Sequence, residues 1–258
     1  PEVREKVAGN PTTPVESLDH LAGDKVDSVR LSLSRNSILA PETLARLALD
    51  QVWKVRRVVG GRGTTPAEAL GVLSRDPHVK VRRAVARNRS AASGMLAELA
   101  ADDAEEVRTA VALNSSTSGL ALAELASDPA WEVRRAVAFN PRTPPAQLVG
   151  LMADQEAFVR RAVATNPSIG PDDQARMAAD HDAGVRRYVT ANPLAEPELL
   201  ARLAGDEDSR VRSAVARSRR TNPETLVGLA VDDDDGVRDG VARNRHAPPP
   251  ARPFFGSR

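Results

Sequence analysis

The sequence of 258 residues contains no cysteine and few aromatic residues. Without cysteine, the chain cannot form disulfides, thiolate metal sites or cysteine-ligated iron–sulphur clusters. Aromatic residues account for only 3% of the sequence, and most of the apolar residues are Ala, Val and Leu. Small aliphatic side chains of this kind suit thin layers of closely packed helices better than a wide globular core.

The sequence also lacks any run of 18 apolar residues and any charged-then-apolar signal segment. We therefore expect a cytoplasmic protein with no membrane partner. The chain begins at Pro1, without a methionine and already inside a repeat, which suggests that an upstream portion is missing. The absence of a cap at this end is also consistent with a bound partner or with end-to-end self-association.

Lysine is scarce as well. Only Lys6, Lys25, Lys54 and Lys80 interrupt a set of 36 basic residues that are otherwise arginine, and the net charge is only +1. This balance argues against a uniformly basic surface. The arginine bias has two interpretations: a GC-rich genome favours Arg codons, or the fold requires planar guanidinium groups with several donors.

The dominant positive feature is a Val-Arg pair that recurs every 26 residues without an insertion. The ten valines of these pairs are Val3, Val29, Val55, Val81, Val107, Val133, Val159, Val185, Val211 and Val237. A fixed period of this length is typical of a solenoid whose units contact mainly their neighbours. We predict one repeat array over residues 1–258, with a partial first repeat at 1–23 and a C-terminal cap at 245–258. In that cap, Phe254 and Phe255 are predicted to cover the last layer.

Each unit is predicted to contain two helices. In the copy from Asp128 to Ala153, Val133, Ala136, Val137 and Asn140 fall at i, i+3, i+4 and i+7, on one face of a helix. The repeated Asp128 is predicted to be the N-cap of this helix. Asn140 is predicted to end it, because Asn tolerates a left-handed backbone and the following proline disfavours a continued helix.

A shorter second helix follows. The segment Thr65-Pro66-Ala67-Glu68 is predicted to be a capping box at its start. The apolar stripe spans barely two turns, so the pattern leaves open whether this helix is α or partly 3₁₀. Copy three departs from the others, because Gly60-Gly61-Arg62-Gly63 replaces the usual sequence around the turn. We interpret this departure as a locally loosened turn, since a phosphate-binding glycine motif would need a preceding strand.

These units closely resemble the bacterial leucine-rich repeat variant family, whose unit runs VRRAVARNPxTPPxxLxxLAxD. Residues 81–88 match the first half of this unit and residues 140–145 match its turn. The resemblance implies an all-α, right-handed superhelical solenoid of about ten 26-residue, two-helix repeats, related to HEAT-like solenoids. Some members of the family carry a cysteine-rich iron–sulphur segment, which this chain cannot form. The family implies a scaffold rather than a defined activity, and a fold alone does not establish function.

Three sets of residues occur in nearly every unit and are interpreted first as structural. The Arg that follows each core Val could track phosphates or an acidic peptide, or could pair with the repeated Asp within or between layers. The repeated Asn is expected to cap helices and to form hydrogen bonds between layers. The structural candidates are Arg82, Arg108, Arg134, Asp102, Asp128, Asn114 and Asn140.

Residues that differ from copy to copy are freer to face solvent or a partner. A second arginine follows the first in five copies, and tryptophan precedes the core Val by two residues in two copies. These tryptophans could stack on a base or anchor a partner, or could pack on the neighbouring helix start. The partner-binding candidates are Arg57, Arg83, Arg135, Arg161, Arg187, Trp53 and Trp131.

The sequence offers little support for catalysis. The four histidines occupy four different repeat positions, and the run from Asp232 to Asp235 lacks the spacing of a calcium-binding loop. We predict no catalytic, metal or cofactor site. The expected function is non-enzymatic binding of a protein or peptide through a concave or arginine-bearing face. The alternative is binding of a DNA or RNA backbone, and DNA-repair glycosylase activity is a third and weaker hypothesis.

Overall fold

The computed structural model describes residues 1–249, which form nineteen α-helices and no strand. The predicted all-helical repeat is therefore confirmed. The chain divides into two compact units, Pro1–Arg142 and Thr143–Arg258, and each is described by itself. The odd-numbered helices are the first helices of the repeats, and the even-numbered helices are the second.

The helices of the first unit are α1 Glu2–Gly9, α2 Val15–Leu21, α3 Asp27–Ser34, α4 Pro41–Leu47, α5 Trp53–Gly60, α6 Ala67–Leu73, α7 Val79–Ala86, α8 Ser93–Leu99, α9 Glu105–Leu113, α10 Gly119–Leu125 and α11 Trp131–Phe139. The helices of the second unit are α12 Pro145–Leu151, α13 Ala157–Thr165, α14 Pro171–Met177, α15 Ala183–Val189, α16 Pro197–Leu203, α17 Ser209–Arg217, α18 Pro223–Leu229 and α19 Asp235–Arg243.

In the first unit, each first helix packs on the next first helix along the chain, from α1 to α11. Each second helix contacts the first helix of the following repeat, as α2 contacts α3. From α3 to α11 the core positions match the sequence period, because the repeated Val and the residue four positions later are fully buried, as at Val81 and Val85. In α1 the equivalent Val3 and Val7 are exposed. Leu70 and Leu96 in the second helices are buried with them. Burial of these small aliphatic side chains between consecutive repeats holds the unit together.

The second unit follows the same plan. Helix α13 packs on α15, α15 on α17 and α17 on α19, with buried Val185, Val189 and Leu200 in the corresponding core positions. The leucine position of α14 is occupied by Gln174, which is 1% exposed and donates from Nε2 to the carbonyl oxygen of Ile169.

The predicted N-cap at the repeated Asp is wrong. Helix α11 begins at Trp131, and its N-cap is Ala130. Asp128 lies outside the helix, where its Oδ1 accepts a hydrogen bond from the N–H of Ala130 at 2.9 Å. The capping position is thus two residues after the repeated Asp. In four helices of the described chain a side chain at that position accepts a helix N–H, namely at His78, Asp182, Asp208 and Asp234.

The predicted capping box is also wrong. Helix α6 has Pro66 at its N-cap, with no side-chain cap. The Thr65 hydroxyl instead donates back to the carbonyl oxygen of Val59 at 2.6 Å, so this threonine satisfies the C-terminal end of the preceding first helix. The second helices are α-helical, as shown by the bond from the Leu70 N–H to the Pro66 carbonyl four residues earlier. The 3₁₀ alternative is therefore excluded for this helix.

The turn between the two helices differs from the prediction as well. Asn140 has φ −72° and ψ 123°, an extended conformation rather than a left-handed one. In residues 1–249 no residue has a positive φ. The turn of copy three is anchored rather than loosened, because Arg62 donates to the carbonyl oxygens of Ser34 at 3.0 Å and Ser37 at 3.4 Å. The predicted contribution of Phe254 and Phe255 to a C-terminal cap lies outside the described residues.

Candidate functional site

In most repeats the arginine that follows the core Val binds the repeated Asp of the next repeat. Arg108 Nε lies 2.6 Å from Asp128 Oδ2, and Arg108 Nη2 lies 3.0 Å from Asp128 Oδ1. The remaining nitrogen, Nη1, donates to the carbonyl oxygens of Asp102 and Asp103 at the start of its own repeat. The described pairs with this geometry are Arg4–Asp24, Arg30–Asp50, Arg56–Asp76, Arg82–Asp102 and Arg108–Asp128 in the first unit, and Arg160–Asp180, Arg186–Asp206 and Arg212–Asp232 in the second.

This arrangement gives a physical reason for arginine at the repeated position. A bidentate fork on a carboxylate plus two backbone acceptors requires the planar, five-donor guanidinium, which an ammonium group cannot replace. None of the four lysines of the sequence falls at this position. Arg134 uses the same third nitrogen, because its Nη1 donates to the carbonyl oxygens of Asp128 and Pro129. The cationic charges of the paired arginines are thus compensated within each unit.

The pairing shifts the pKa values of the arginines and of several of the carboxylates. The hydrogen bond to Asp128 raises the pKa of Arg108 above its ordinary value. For Asp102, burial acts to raise the pKa, but hydrogen bonds from Arg82 and from the Ala104 N–H outweigh it and leave the pKa below its ordinary value of 3.8. Asp180, Asp206 and Asp232 in the second unit are shifted in the same direction. These shifts therefore arise from pairs that link consecutive repeats.

These carboxylates should make the protein labile to acid. A group whose pKa is lower in the folded state stabilises the fold at pH values above its unfolded pKa, and this contribution is lost as the pH falls through the folded value. We expect the urea midpoint to be flat from about pH 7 to pH 5 and to fall steeply between about pH 4 and pH 2. In Asp102→Asn the midpoint at pH 7 should be lower and its fall on acidification smaller. An equal acid dependence in this variant and in the unsubstituted chain would contradict the assignment.

The repeated Asn also bridges consecutive repeats. Asn114 Nδ2 donates to the carbonyl oxygens of Ala86 at 2.8 Å and Asn88 at 2.9 Å, while its Oδ1 accepts from the Ser116 N–H at 2.8 Å. Asn140 Nδ2 donates in the same way to Ala112 and Asn114. All three functions of the amide are used by backbone groups. The side chain is therefore committed to the packing of the repeats.

The arginine that directly follows the first one, present in five copies, has surroundings that differ from copy to copy. Arg57 is exposed and Arg83 half-buried, and both line one cleft of the first unit. Arg135 lies over the ring of Phe139, with its guanidinium carbon 5.2 Å from the ring centroid. In the second unit, Arg161 forms an ion pair with Asp182 at 2.9 Å, and Arg187 lies 5.3 Å from the centroid of Tyr188. The five arginines thus occupy equivalent repeat positions but have different partners.

The two tryptophans are both partly buried. Trp53 packs on the start of the neighbouring first helix, because its ring stacks on His78 with 4.0 Å between centroids and 17° between planes. Lys80 Nζ lies 5.3 Å from the centroid of the Trp53 ring, within the range of a cation–π interaction. Trp131 begins helix α11 at the equivalent position.

One feature was missed by the sequence analysis: the cleft between α5 and α7, with a volume of about 360 Å³. Its charged lining consists of Arg57, Arg62, Lys80, Arg83 and Arg87, and we call it the basic cleft. A sequence signal existed. Arg161 is neutralised by Asp182, which lies 21 residues later in the sequence. At the same spacing, Arg57 and Arg83 have His78 and Ala104, which carry no carboxylate.

The described part of the chain was also searched for metal-binding groups, membrane-spanning helices and further clefts. Residues 1–249 contain no group of three or more His, Asp or Glu side chains positioned to hold a metal ion. Within the same range, no helix has the length and apolar character needed to cross a bilayer. A cleft of the second unit is lined by Arg161, Asp182, Arg187 and Arg210 and so contains both signs of charge.

Comparison with known proteins identifies the repeat. A model described as a leucine-rich repeat variant matches residues 1–25, 105–130 and 131–156, and a model of the leucine-rich repeat variant domain matches residues 159–219. Together they account for just over half of the chain. A comparison with curated protein sequences finds no match.

The first of two similar solved structures agrees with this identification. A structure described as a leucine-rich repeat variant with a novel repetitive structural motif is 28% identical, with a TM-score of 0.62, over 86% of this chain and 88% of that one. The X-ray structure of YIBA_ECOLI is 18% identical, with a TM-score of 0.44, over 93% of this chain and 94% of that one. Because the two family models together match just over half of the chain, the chain belongs to the leucine-rich repeat variant family.

Proposed function

We propose that the chain is a non-enzymatic scaffold that binds a protein or peptide partner through the arginine-bearing face of its first helices. The observation that carries the proposal is that two consecutive arginines of the repeat have different roles. The arginine after the core Val is occupied by Asp and backbone carbonyls, as at Arg82 and Arg108. The residue at the next position is arginine in only five of the ten copies. Among these, Arg57 and Arg83 have no carboxylate partner within residues 1–249.

The titration behaviour supports a scaffold over an enzyme. Strongly shifted carboxyl groups are common in catalytic sites, but structural ion pairs shift pKa values too. Here the lowered pKa values of Asp102, Asp180 and Asp206 have structural causes, namely hydrogen bonds from arginines of the preceding repeat. His78 stacks on Trp53 and accepts a helix N–H. These groups therefore have structural roles that need no catalytic explanation.

A protein or peptide is favoured over a nucleic acid backbone because the face is not uniformly basic. Glu106 and Glu132 occupy, in α9 and α11, the repeat position that Lys80 occupies in α7. A long polyanion that followed the first helices of the first unit would therefore meet carboxylates after the basic segment. A partner with mixed or local charge avoids this repulsion.

The proposal can be tested by selecting binders of the full chain from a random 15-residue phage-displayed peptide library. The selected peptides should bind at least about tenfold more weakly to a variant with Arg57, Arg83 and Arg135 all changed to Gln. A matched variant with Arg46, Arg75 and Arg89 changed to Gln removes the same charge from other exposed positions and should bind normally. Peptides that bind both variants equally, or a selection that yields none, would contradict the proposal.

The nucleic acid alternative is tested in parallel with a 30-base-pair duplex. Binding through phosphates would weaken by roughly 0.9 log unit per neutralised phosphate for each log unit of salt. We expect no binding of the duplex at 150 mM salt. Duplex binding with a steep salt dependence that is abolished in the triple variant would replace the peptide proposal with the nucleic acid one.

A further inference from the structure

The basic cleft concentrates positive charge in a small part of the first unit. Its volume is about 360 Å³, and Arg57, Arg62, Lys80, Arg83 and Arg87 line it together with Val58, Gly61 and Ala84. No carboxylate lines the cleft, and none of its five cations forms an ion pair within residues 1–249. A cleft of the second unit is also lined by arginines without a carboxylate, but there Arg243 forms an ion pair with Asp239.

The cationic cluster is specific to one helix. Lys80, Arg83 and Arg87 are spaced at i, i+3 and i+7 along α7 and its C-cap, so they share one helix face. The equivalent positions of α9 hold Glu106, Thr109 and Leu113, and those of α11 hold Glu132, Arg135 and Phe139. Like charges three and four residues apart destabilise an isolated helix. The repeat does not require this cluster for its packing, because the other repeats do without it.

Arg62 adds a cation that the repeat would normally exclude. It stands at the position of the repeated Asn, 26 residues after Asn36 and 26 before Asn88. Its guanidinium donates only to neutral acceptors, the carbonyl oxygens of Ser34 and Ser37. Its Nε is buried without an acceptor among the described residues, and burial lowers the pKa of this arginine. A fixed, uncompensated charge at the edge of the cleft would be stabilised by a bound anion.

We propose that the basic cleft binds a phosphorylated side chain of a peptide partner; the inference rests on the proposed scaffold function. A phosphomonoester carries nearly two negative charges and three acceptor oxygens at one point, whereas a carboxylate carries one charge on two oxygens. Several guanidinium groups that converge on a small cleft match the phosphate better. The carboxylates at Glu106 and Glu132 end the basic surface on the side of the cleft that faces α9 and α11. This extent fits a short peptide segment.

The experiment measures fluorescence anisotropy of labelled 12-residue peptides with the full chain at 100 mM salt. Three peptides have the same sequence except for a central phosphoserine, glutamate or serine. We expect the phosphoserine peptide to bind at least about tenfold more tightly than either of the others. Inorganic phosphate should compete with it at millimolar concentration, and a single-stranded oligonucleotide of equal charge should compete no better than phosphate. Equal affinity for the phosphoserine and glutamate peptides, or stronger binding of the oligonucleotide, would overturn the inference.

Substitutions in the basic cleft test whether the phosphopeptide binds there. R83Q/R87Q should weaken phosphopeptide binding at least about tenfold, and Arg62→Asn should weaken it several-fold while restoring the amide that this repeat position normally carries. R46Q/R75Q removes two exposed arginines that pair with Asp19 and Glu98 elsewhere in the unit and should bind normally. Urea unfolding checks each fold, and R83Q/R87Q should be at least as stable as the unsubstituted chain. Unchanged binding in R83Q/R87Q would overturn the site.

The outcomes also separate this inference from the proposed function. If library-selected peptides lose binding in the triple variant but no phosphopeptide preference is found, the scaffold function stands and the phosphate site falls. If neither set of peptides binds, both the scaffold function and the phosphate site are contradicted.

Discussion

Replacing Asn114 with alanine is expected to lower the free energy of unfolding by roughly 3–5 kcal/mol. The side chain is 5% exposed and forms three hydrogen bonds with the backbone, two of them to carbonyl oxygens of the preceding repeat. Alanine would leave the Ala86 carbonyl and the Ser116 N–H without this partner, and each buried polar group that loses its partner costs about 1–3 kcal/mol. Urea unfolding at pH 7 measures the loss.

Ser115→Ala is the matched control, because Ser115 is the exposed neighbour of Asn114. Its effect should lie within about 0.5 kcal/mol of zero. A loss below about 1 kcal/mol in Asn114→Ala would show that water satisfies the released carbonyl groups. The repeated Asn would then contribute to the turn within its own repeat rather than to the contact between repeats.

The helices and the core could be predicted from the sequence because they depend on local patterns. Val81, Val85 and Leu96 are buried at positions that the 26-residue period and the helical spacing predict. The roles of the repeated polar residues were predicted less well. Both Asp128 and Thr65 suggest N-caps when one repeat is considered alone. In the folded chain, however, the Asp128 carboxylate is held by Arg108 from the preceding repeat, which places it ahead of the helix.

The basic cleft was not predicted because its character depends on partners that a single repeat does not contain. Arg57, Arg83 and Arg161 occupy the same repeat position, yet Arg161 is neutralised by Asp182, 21 residues later. Arg62 looked like part of an irregular turn, although it takes over one of the two carbonyl contacts of the missing Asn, the contact with Ser34. Comparing residues 20 to 28 positions apart would have revealed the paired and the unpaired arginines. The chemistry of a bound ligand has no such local signal.

Breaking one of the ion pairs between repeats should be as costly as removing the Asn amide. We expect Arg108→Met to lower the free energy of unfolding by roughly 3–5 kcal/mol, the usual cost of leaving a buried charge without its partner. The Asp128 side chain is 4% exposed and would retain only the Ala130 N–H among its hydrogen-bond donors. The carbonyl groups of Asp102 and Asp103 would lose a donor as well. Urea unfolding at pH 7 measures the loss.

The exposed pair Arg75–Glu98 provides the control, since its side chains are 71% and 61% exposed. Arg75→Met should cost less than about 1 kcal/mol.

The double variant Arg108→Met/Asp128→Asn separates charge from packing. Asparagine keeps an oxygen for the Ala130 N–H but carries no charge, so the double variant should recover at least about 1 kcal/mol relative to Arg108→Met alone. A coupling energy near zero in this cycle would mean that the arginine acts through its backbone contacts. With strong coupling, the Arg–Asp pairs hold the repeats of the unit together. Arg57, Arg83 and Arg87 of the basic cleft are then available for a ligand, because they form no ion pair within residues 1–249.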